Sequence, residues 1–281
     1  MPHAYVTLET LKSTGALNLG TGTPYDTRLR QLTEGIAEQV DRYANRAKTT
    51  FQPRTDTLYF SGDNSTLLLV PDLISITSLK EDNNQDGTFD TTWNANDYFL
   101  MPYNADPTSD WGMPYNALQV SPKSNGTQDA FLAGPRRYEI VGTWGYREVT
   151  GTTGAKTSGT IGTSGTTTFT ADTAGIEPGM TILVQSEQMY VKSTSGTAVT
   201  VERGVNGSAA TTHATTLDVN YYIYPQPVQE ATIIQASRIW KRKDSGFASE
   251  VGFPDIGMTT TWRGGLDPDV KQLLFPFRRL H

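Results

Sequence analysis

The sequence predicts an α+β protein: a helical-bundle scaffold carrying a small antiparallel sheet as one insertion and a separate β-barrel or sandwich module as another. Three observations lead there. Apolar residues recur at helical spacing near both ends of the chain. Between them the period shortens to that of strands separated by turn residues. A run of almost nothing but Thr, Gly and Ser from Gly151 to Thr168 divides the strand-rich part in two.

The first helical part spans 1–50. Thr7 is placed to cap a short helix bearing Leu8 and Leu11, which Gly15 would end. A second start is written in Thr23-Pro24-Tyr25-Asp26, with a capping residue, proline at the first helical position and a carboxylate three residues past the cap. Leu29, Leu32, Ile36, Val40, Tyr43 and Ala44 then form one apolar stripe. Over 51–149, Thr57–Phe60, Leu67–Val70, Ile74–Leu79, Tyr98–Leu100 and Arg137–Trp144 are β-favouring runs and predict the antiparallel insertion. Residues 150–165 read as a flexible linker. In 166–224, Ile182/Val184, Met189/Val191 and Val199/Val201 alternate with polar residues, with turns at Ser195-Gly196 and Asn206-Gly207. The chain returns to helix in 225–281. Val228, Ala231, Ile234 and Ile239, with Ile233, Ala236 and Trp240, form a broad apolar arc expected to lie against the Leu29–Tyr43 stripe, and Asp267-Pro268 opens a last short helix carrying Val270, Leu273 and Leu274.

Composition narrows the function. The 281 residues hold 23 Lys+Arg against 29 Asp+Glu, a net charge of −6 that argues against gripping nucleic acid with the whole surface. With no cysteine, disulfide frameworks, thiolate zinc sites and cysteine nucleophiles are excluded together. Of the three histidines, His3 and His281 stand at chain ends, where segments are commonly mobile, and His213 reads as a structural residue of the β-module. No Gly-rich phosphate loop, GxSxG elbow or HExxH is present, so the expectation is a protein that is not an enzyme and needs no cofactor. No apolar run approaches the roughly 18 residues of a membrane span, and the first residues lack a basic and an apolar region, which predicts synthesis in the cytoplasm without membrane insertion.

Three constellations stand out. Asp82, Asn84, Asp86 and Asp90, with Gly87, match the first half of a calcium loop, but position twelve is Trp93 instead of a bidentate Glu; the other reading is an Asx/Gly-rich hairpin tip. Seven carboxylates and no Lys or Arg lie between Glu81 and Pro122. That stretch is a solvated acidic face, or else a wall meeting a basic partner or repelling a polyanion, with Asp82, Asp86, Asp90 and Asp97 as the residues to line it. At the C-terminus, Arg278 and Arg279 flanked by Phe275, Phe277 and Leu280 have the composition of an interface anchor or of a frayed tail.

Specific strings go further. Tyr5-Val6-Thr7-Leu8-Glu9-Thr10-Leu11-Lys12 and the helix ending Tyr43-Ala44-Asn45-Arg46 resemble the opening of tailed-bacteriophage head–tail connector (adaptor) proteins. Leu58–Gly62, Leu69–Ile76, Asn96–Leu100, Gly142–Tyr146, Ala231–Arg242 and Val270–Arg279 follow in the order of that family. Residues 166–224 depart from its smaller members and look like a small β-domain that recurs in phage structural proteins. The resemblance implies a virion protein at the head–tail interface, assembled in the host cytoplasm as a closed homo-oligomeric ring of about twelve copies. Its implied partners are the portal protein, a tail-completion or tail-terminator protein, and double-stranded DNA passing without sequence-specific binding. Phe275, Phe277, Arg278, Arg279 and Leu280 are the implied docking residues, and the acidic stretch would face the lumen. The rival reading is a carbohydrate-binding, adhesin-like β-rich protein.

Overall fold

The computed structural model describes residues 3–13, 15–46, 50–121, 127–162, 165–172, 175–243, 250–253, 258–261 and 265–279, the stretches 250–253 and 258–261 by backbone only. In chain order the elements are α1 (Leu8–Lys12), α2 (Asp26–Tyr43), β1 (Arg54–Gly62), β2 (Leu67–Glu81), β3 (Thr91–Thr92), β4 (Tyr98–Met101), β5 (Tyr115–Val120), β6 (Gly134–Trp144), β7 (Thr150–Lys156), β8 (Thr168–Thr170), β9 (Thr181–Val184), β10 (Glu187–Ser195), β11 (Ala198–Glu202), β12 (Asp218–Tyr222), α3 (Gln226–Arg242), β13 (Glu250–Phe253), β14 (Met258–Thr261) and α4 (Pro268–Leu274). Two six-stranded antiparallel sheets dominate, and only 22% of residues are helical. The expected helical-bundle scaffold is therefore wrong. α1 is a single turn of five residues, and each sheet builds its own core from strand residues instead of leaning on a bundle.

The chain forms two compact units, one of 48–150 with 206–208 and the other of the remaining residues. In the first, the strand order is β1-β6-β2-β5-β4, with β3 added to the end of β2. Leu68, Val70, Leu73, Leu79, Leu118, Tyr138, Ile140 and Trp144 pack the inner face with Trp93 and Phe131, whose rings stack at 4.8 Å. The two runs predicted as Leu67–Val70 and Ile74–Leu79 are one strand of 15 residues. It passes Pro71 at a register shift, where the missing N–H breaks no ladder bond. β5 was not foreseen from the sequence.

In the second unit β7-β12-β9-β10-β11-β8 form one sheet. A bridge between Thr157 and Ala171, with Ser158 N donating to Thr170 O (2.9 Å) and Asp172 N to Lys156 O (3.1 Å), joins its two end strands. The sheet thus closes on itself, and the barrel interior is filled by Ile182, Val184, Met189, Val191, Val199, Val201 and Val219. Two expectations change here. The segment 150–165 holds strand β7 instead of a free linker, because Thr favours the pleated backbone and finds β12 as partner. The barrel is also no detached module. β10 is buried on both faces near its start, and Tyr190, on the outer face, donates to Glu34 of α2 (3.0 Å) and packs with Ala4 and Val205.

Two helical starts follow their caps, whereas α2 starts after Tyr25 with no side-chain cap, so Thr23 does not cap it as expected. Thr7 Oγ1 accepts from Thr10 N (3.2 Å) and Asp267 Oδ1 from Asp269 N (2.9 Å). α1 ends at Lys12, short of Gly15, and α2 begins at Asp26, after the Thr23-Pro24-Tyr25 turn. Leu29, Ile36, Val40 and Ala44 of the predicted stripe are buried, as are Val228, Ala231 and Ala236 of α3. Tyr25 and Trp240 meet edge to face at 5.3 Å between α2 and α3.

Candidate functional site

The most exposed large hydrophobic side chain among the described residues is Trp111, 96% accessible, in the loop joining β4 to β5. Tyr103 (61%) and Met113 stand out from the same loop, and the rings of Tyr103 and Phe99 of β4 lie 5.5 Å apart. Outward-facing residues extend this apolar surface. Leu67 and Phe99 flank Gln119 across the sheet, and Leu69 is 70% exposed two residues further along β2.

This loop is built, not loose. Ala105, Pro107, Gly112 and Pro114 are buried beneath it. Ala105 N donates to Pro102 O (3.0 Å), Ser109 N to Asp106 O (3.2 Å), Gly112 N to Ser109 O (3.0 Å) and Glu148 N to Pro107 O (2.8 Å). The Arg147 guanidinium donates to the Asp110 carbonyl. Gly112 is required by close approach, since a Cβ there would stand 1.7 Å from the Asp106 carbonyl oxygen. Asp106 Oδ1 accepts from both the amide and the hydroxyl of Thr108, which hold its carboxyl below the usual range, and the Asp110 side chain is exposed on the same loop. An apolar side chain fixed in water by a rigid backbone has lost its ordering cost in advance, which is how contact anchors are made. Sequence reasoning read this segment only as part of an acidic stretch. The available signal was Tyr, Trp and Met between Pro102 and Pro114 without strand period.

The acidic residues proposed for a lumen do not form one face. Asp82 is buried and accepts from the amides of Asp86 (3.2 Å) and Gly87 (2.8 Å). Asp97 is buried and accepts from Asn94 N and Thr127 N, both at 2.6 Å. Only Asp86 and Asp90 of the four are exposed. Glu81, counted in the same stretch, is also buried, held by Arg137 Nε (2.8 Å) and Trp93 Nε1 (3.0 Å). These carboxylates tie loops to backbone amides, as Asx residues do at turns. The hairpin tip of the calcium reading is held together by its own side chains and amides. Asp82 closes its own hairpin, Asn84 donates to Asp86 (3.1 Å), and among the described residues no group of three or more His, Cys, Asp or Glu could hold a metal.

The tail is folded back on α2. Arg279 N donates to Ala44 O (2.9 Å), Asn45 Nδ2 to Arg279 O (3.3 Å) and Arg46 Nε to Phe277 O (2.9 Å), while the Arg278 guanidinium lies 5.2 Å over the Tyr43 ring. It is therefore not frayed over 275–279. Phe275 (65% exposed) and Arg278 point to solvent; Phe277 and Arg279 are half-buried, and burial lowers the pKa of Arg279. Leu280 and His281 lie outside the described residues.

Two histidines are built into polar clusters. Glu187, fully buried at the start of β10, accepts from Arg203 Nε (2.5 Å) and Nη2 (2.7 Å), from the amides of Gly204 and Thr211, and from His213 Nε2 (2.7 Å). Burial pushes its pKa up, but these donors outweigh it and bring it down to about 2. His213 thus has the structural role the sequence suggested. His3, expected in a mobile end, instead reaches Asp41 of α2 (2.7 Å) beside the Tyr5 hydroxyl, and burial raises the pKa of Asp41. Among the described residues, no helix is long and apolar enough to cross a membrane. Neither protein-family models nor curated proteins give a match to this chain.

Proposed function

We propose that this chain is a structural subunit of a larger assembly, in its specific form a member of the ring beneath a phage portal that joins head to tail and continues the DNA channel. The observation that carries the reading is the β4–β5 loop, where Tyr103, Trp111 and Met113 are held exposed by a backbone that packs four buried residues beneath them. Such a surface stabilises nothing within its own chain and gains by being covered. The resemblance supplies the identity of the particle. α1 lies within the Tyr5–Lys12 string, and α2, α3 and α4 overlap the later helical strings that carry the resemblance. In this reading the chain catalyses nothing, and its partners are further copies, the portal, a tail-completion or tail-terminator protein, and passing double-stranded DNA, within a virion assembled in host cytoplasm.

Phe275 and Arg278 are the tail residues available to a portal or neighbouring subunit, and Asp86 and Asp90 the carboxylates available to a lumen. Electron microscopy and mass measurement of the chain mixed with portal test the proposal: rings on the portal are expected, and a chain that stays monomeric beside portal contradicts it.

A second reading has one observation in its favour. Exposed Trp and Tyr beside Asp106 and Asp110 also suit a sugar ring, stacked on its apolar face and hydrogen-bonded at its edge. Glycan binding lost in Trp111→Ala, by a chain that never forms rings, would favour it.

A further inference from the structure

We infer that the Trp111 loop of one copy docks in the groove between α2 and α3 of a second copy. The inference rests on the assembly reading above and names the surface that covers the loop. The groove is lined by Tyr25, Arg28, Leu32, Ile239, Trp240 and Lys243 and encloses about 170 Å³. A protein cavity of about 150 Å³ accepts a benzene ring, so the groove is of the size to receive one aromatic side chain. Its floor is already aromatic. Tyr25 and Trp240 meet edge to face at 5.3 Å, and the Lys243 ammonium sits 4.7 Å from the Trp240 ring centre. A third ring can join by the offset or edge geometries that aromatic groups favour.

Charge chooses this groove over the other one described beside α3. The loop carries exposed Asp106 and Asp110, and the α2–α3 groove is rimmed by exposed Arg28 and Lys243. The groove between α3 and α4 is larger, about 570 Å³, but is rimmed by Glu230 and Asp269, which repel the loop's carboxylates. Knob and groove lie on different parts of the chain. Repeated head to tail, this contact offers each copy's loop to one neighbour and its groove to another, and it closes into a ring when the rotation between copies closes.

The experiment uses the full chain and follows self-association by sedimentation and by cross-linking from a photoreactive phenylalanine analogue at position 111. Cross-links are expected in the peptides holding Tyr25–Leu32 and Ile239–Lys243. Trp111→Ala is expected to weaken self-association by about 30-fold or more, as loss of a central aromatic anchor does. Arg28→Asp with Lys243→Asp should weaken it similarly, and adding Asp106→Lys with Asp110→Lys to that variant should restore it. Self-association unchanged by Trp111→Ala, or cross-links only elsewhere, overturns this contact and leaves the assembly reading standing. A wild-type chain monomeric up to about 1 mM also overturns it, and the ring reading is then decided by the portal experiment alone.

Discussion

The two six-stranded sheets solve the edge problem in opposite ways. The second closes through the Thr157–Ala171 bridge, and its most polar feature, the Glu187–Arg203–His213 cluster, is turned inward and fully bonded. The first is open, with β1 and β4 at its ends, and turns Leu67, Leu69 and Phe99 outward beside the Trp111 loop. Closed and internally satisfied surfaces suit a structural module, whereas an open sheet with exposed anchors needs covering. The barrel should therefore be sensitive to loss of its polar centre in stability, and the open sheet to loss of its anchors in association.

The largest effect is expected at Glu187. Replacing it with Ala strands Arg203 and His213 in a buried site and should destabilise the chain by about 3–5 kcal/mol, read by chemical unfolding. A Trp111→Ala variant with the same loss of stability would erase the contrast between the sheets. Next is Gly112→Ala. The added Cβ collides with backbone, so the loop must shift, at a cost of about 1–3 kcal/mol and with a change in Trp111 fluorescence.

Asp267→Ala removes the α4 cap and the partner of Arg238, and should cost about 1 kcal/mol. Acid tests the barrel's polar centre directly. The folded pKa of Glu187, about 2, is below its ordinary value of 4.5. Its contribution is present above pH 4.5 and is lost as pH falls through about 2, so Glu187→Gln should flatten the acid limb of the stability curve in that window. The smallest effect is expected for Trp111→Ala on stability, within about 0.5 kcal/mol, because the side chain touches so little of its own fold.

Much of the local structure was legible in the sequence. Thr7 and Asp267 cap the helices they should, and the Ile182/Val184, Met189/Val191 and Val199/Val201 alternations line a barrel. What failed were inferences about assembly of the parts. Helical stripes on α2 and α3 said that these helices bury a face, not that a bundle organises the chain. The Thr/Gly run looked like linker because composition records turn tendency, whereas pairing with β12 is a tertiary event. The acidic stretch failed differently. Sequence counts charges, but whether Asp82 and Asp97 face water depends on which backbone amides they meet. The Trp111 loop escaped notice because an exposed tryptophan and a core tryptophan are the same letter. Trp93, 18 residues earlier, is buried and stacked on Phe131.

The most direct test of the covered loop is oxidative footprinting of Trp111 in the free chain and in the assembled particle, with buried Trp144 as the internal reference. Strong oxidation of Trp111 in the free chain and protection on assembly, with Trp144 unreactive in both, is the expected result. Equal oxidation of Trp111 in the two states would show that the loop stays in water and would contradict its role as an assembly contact.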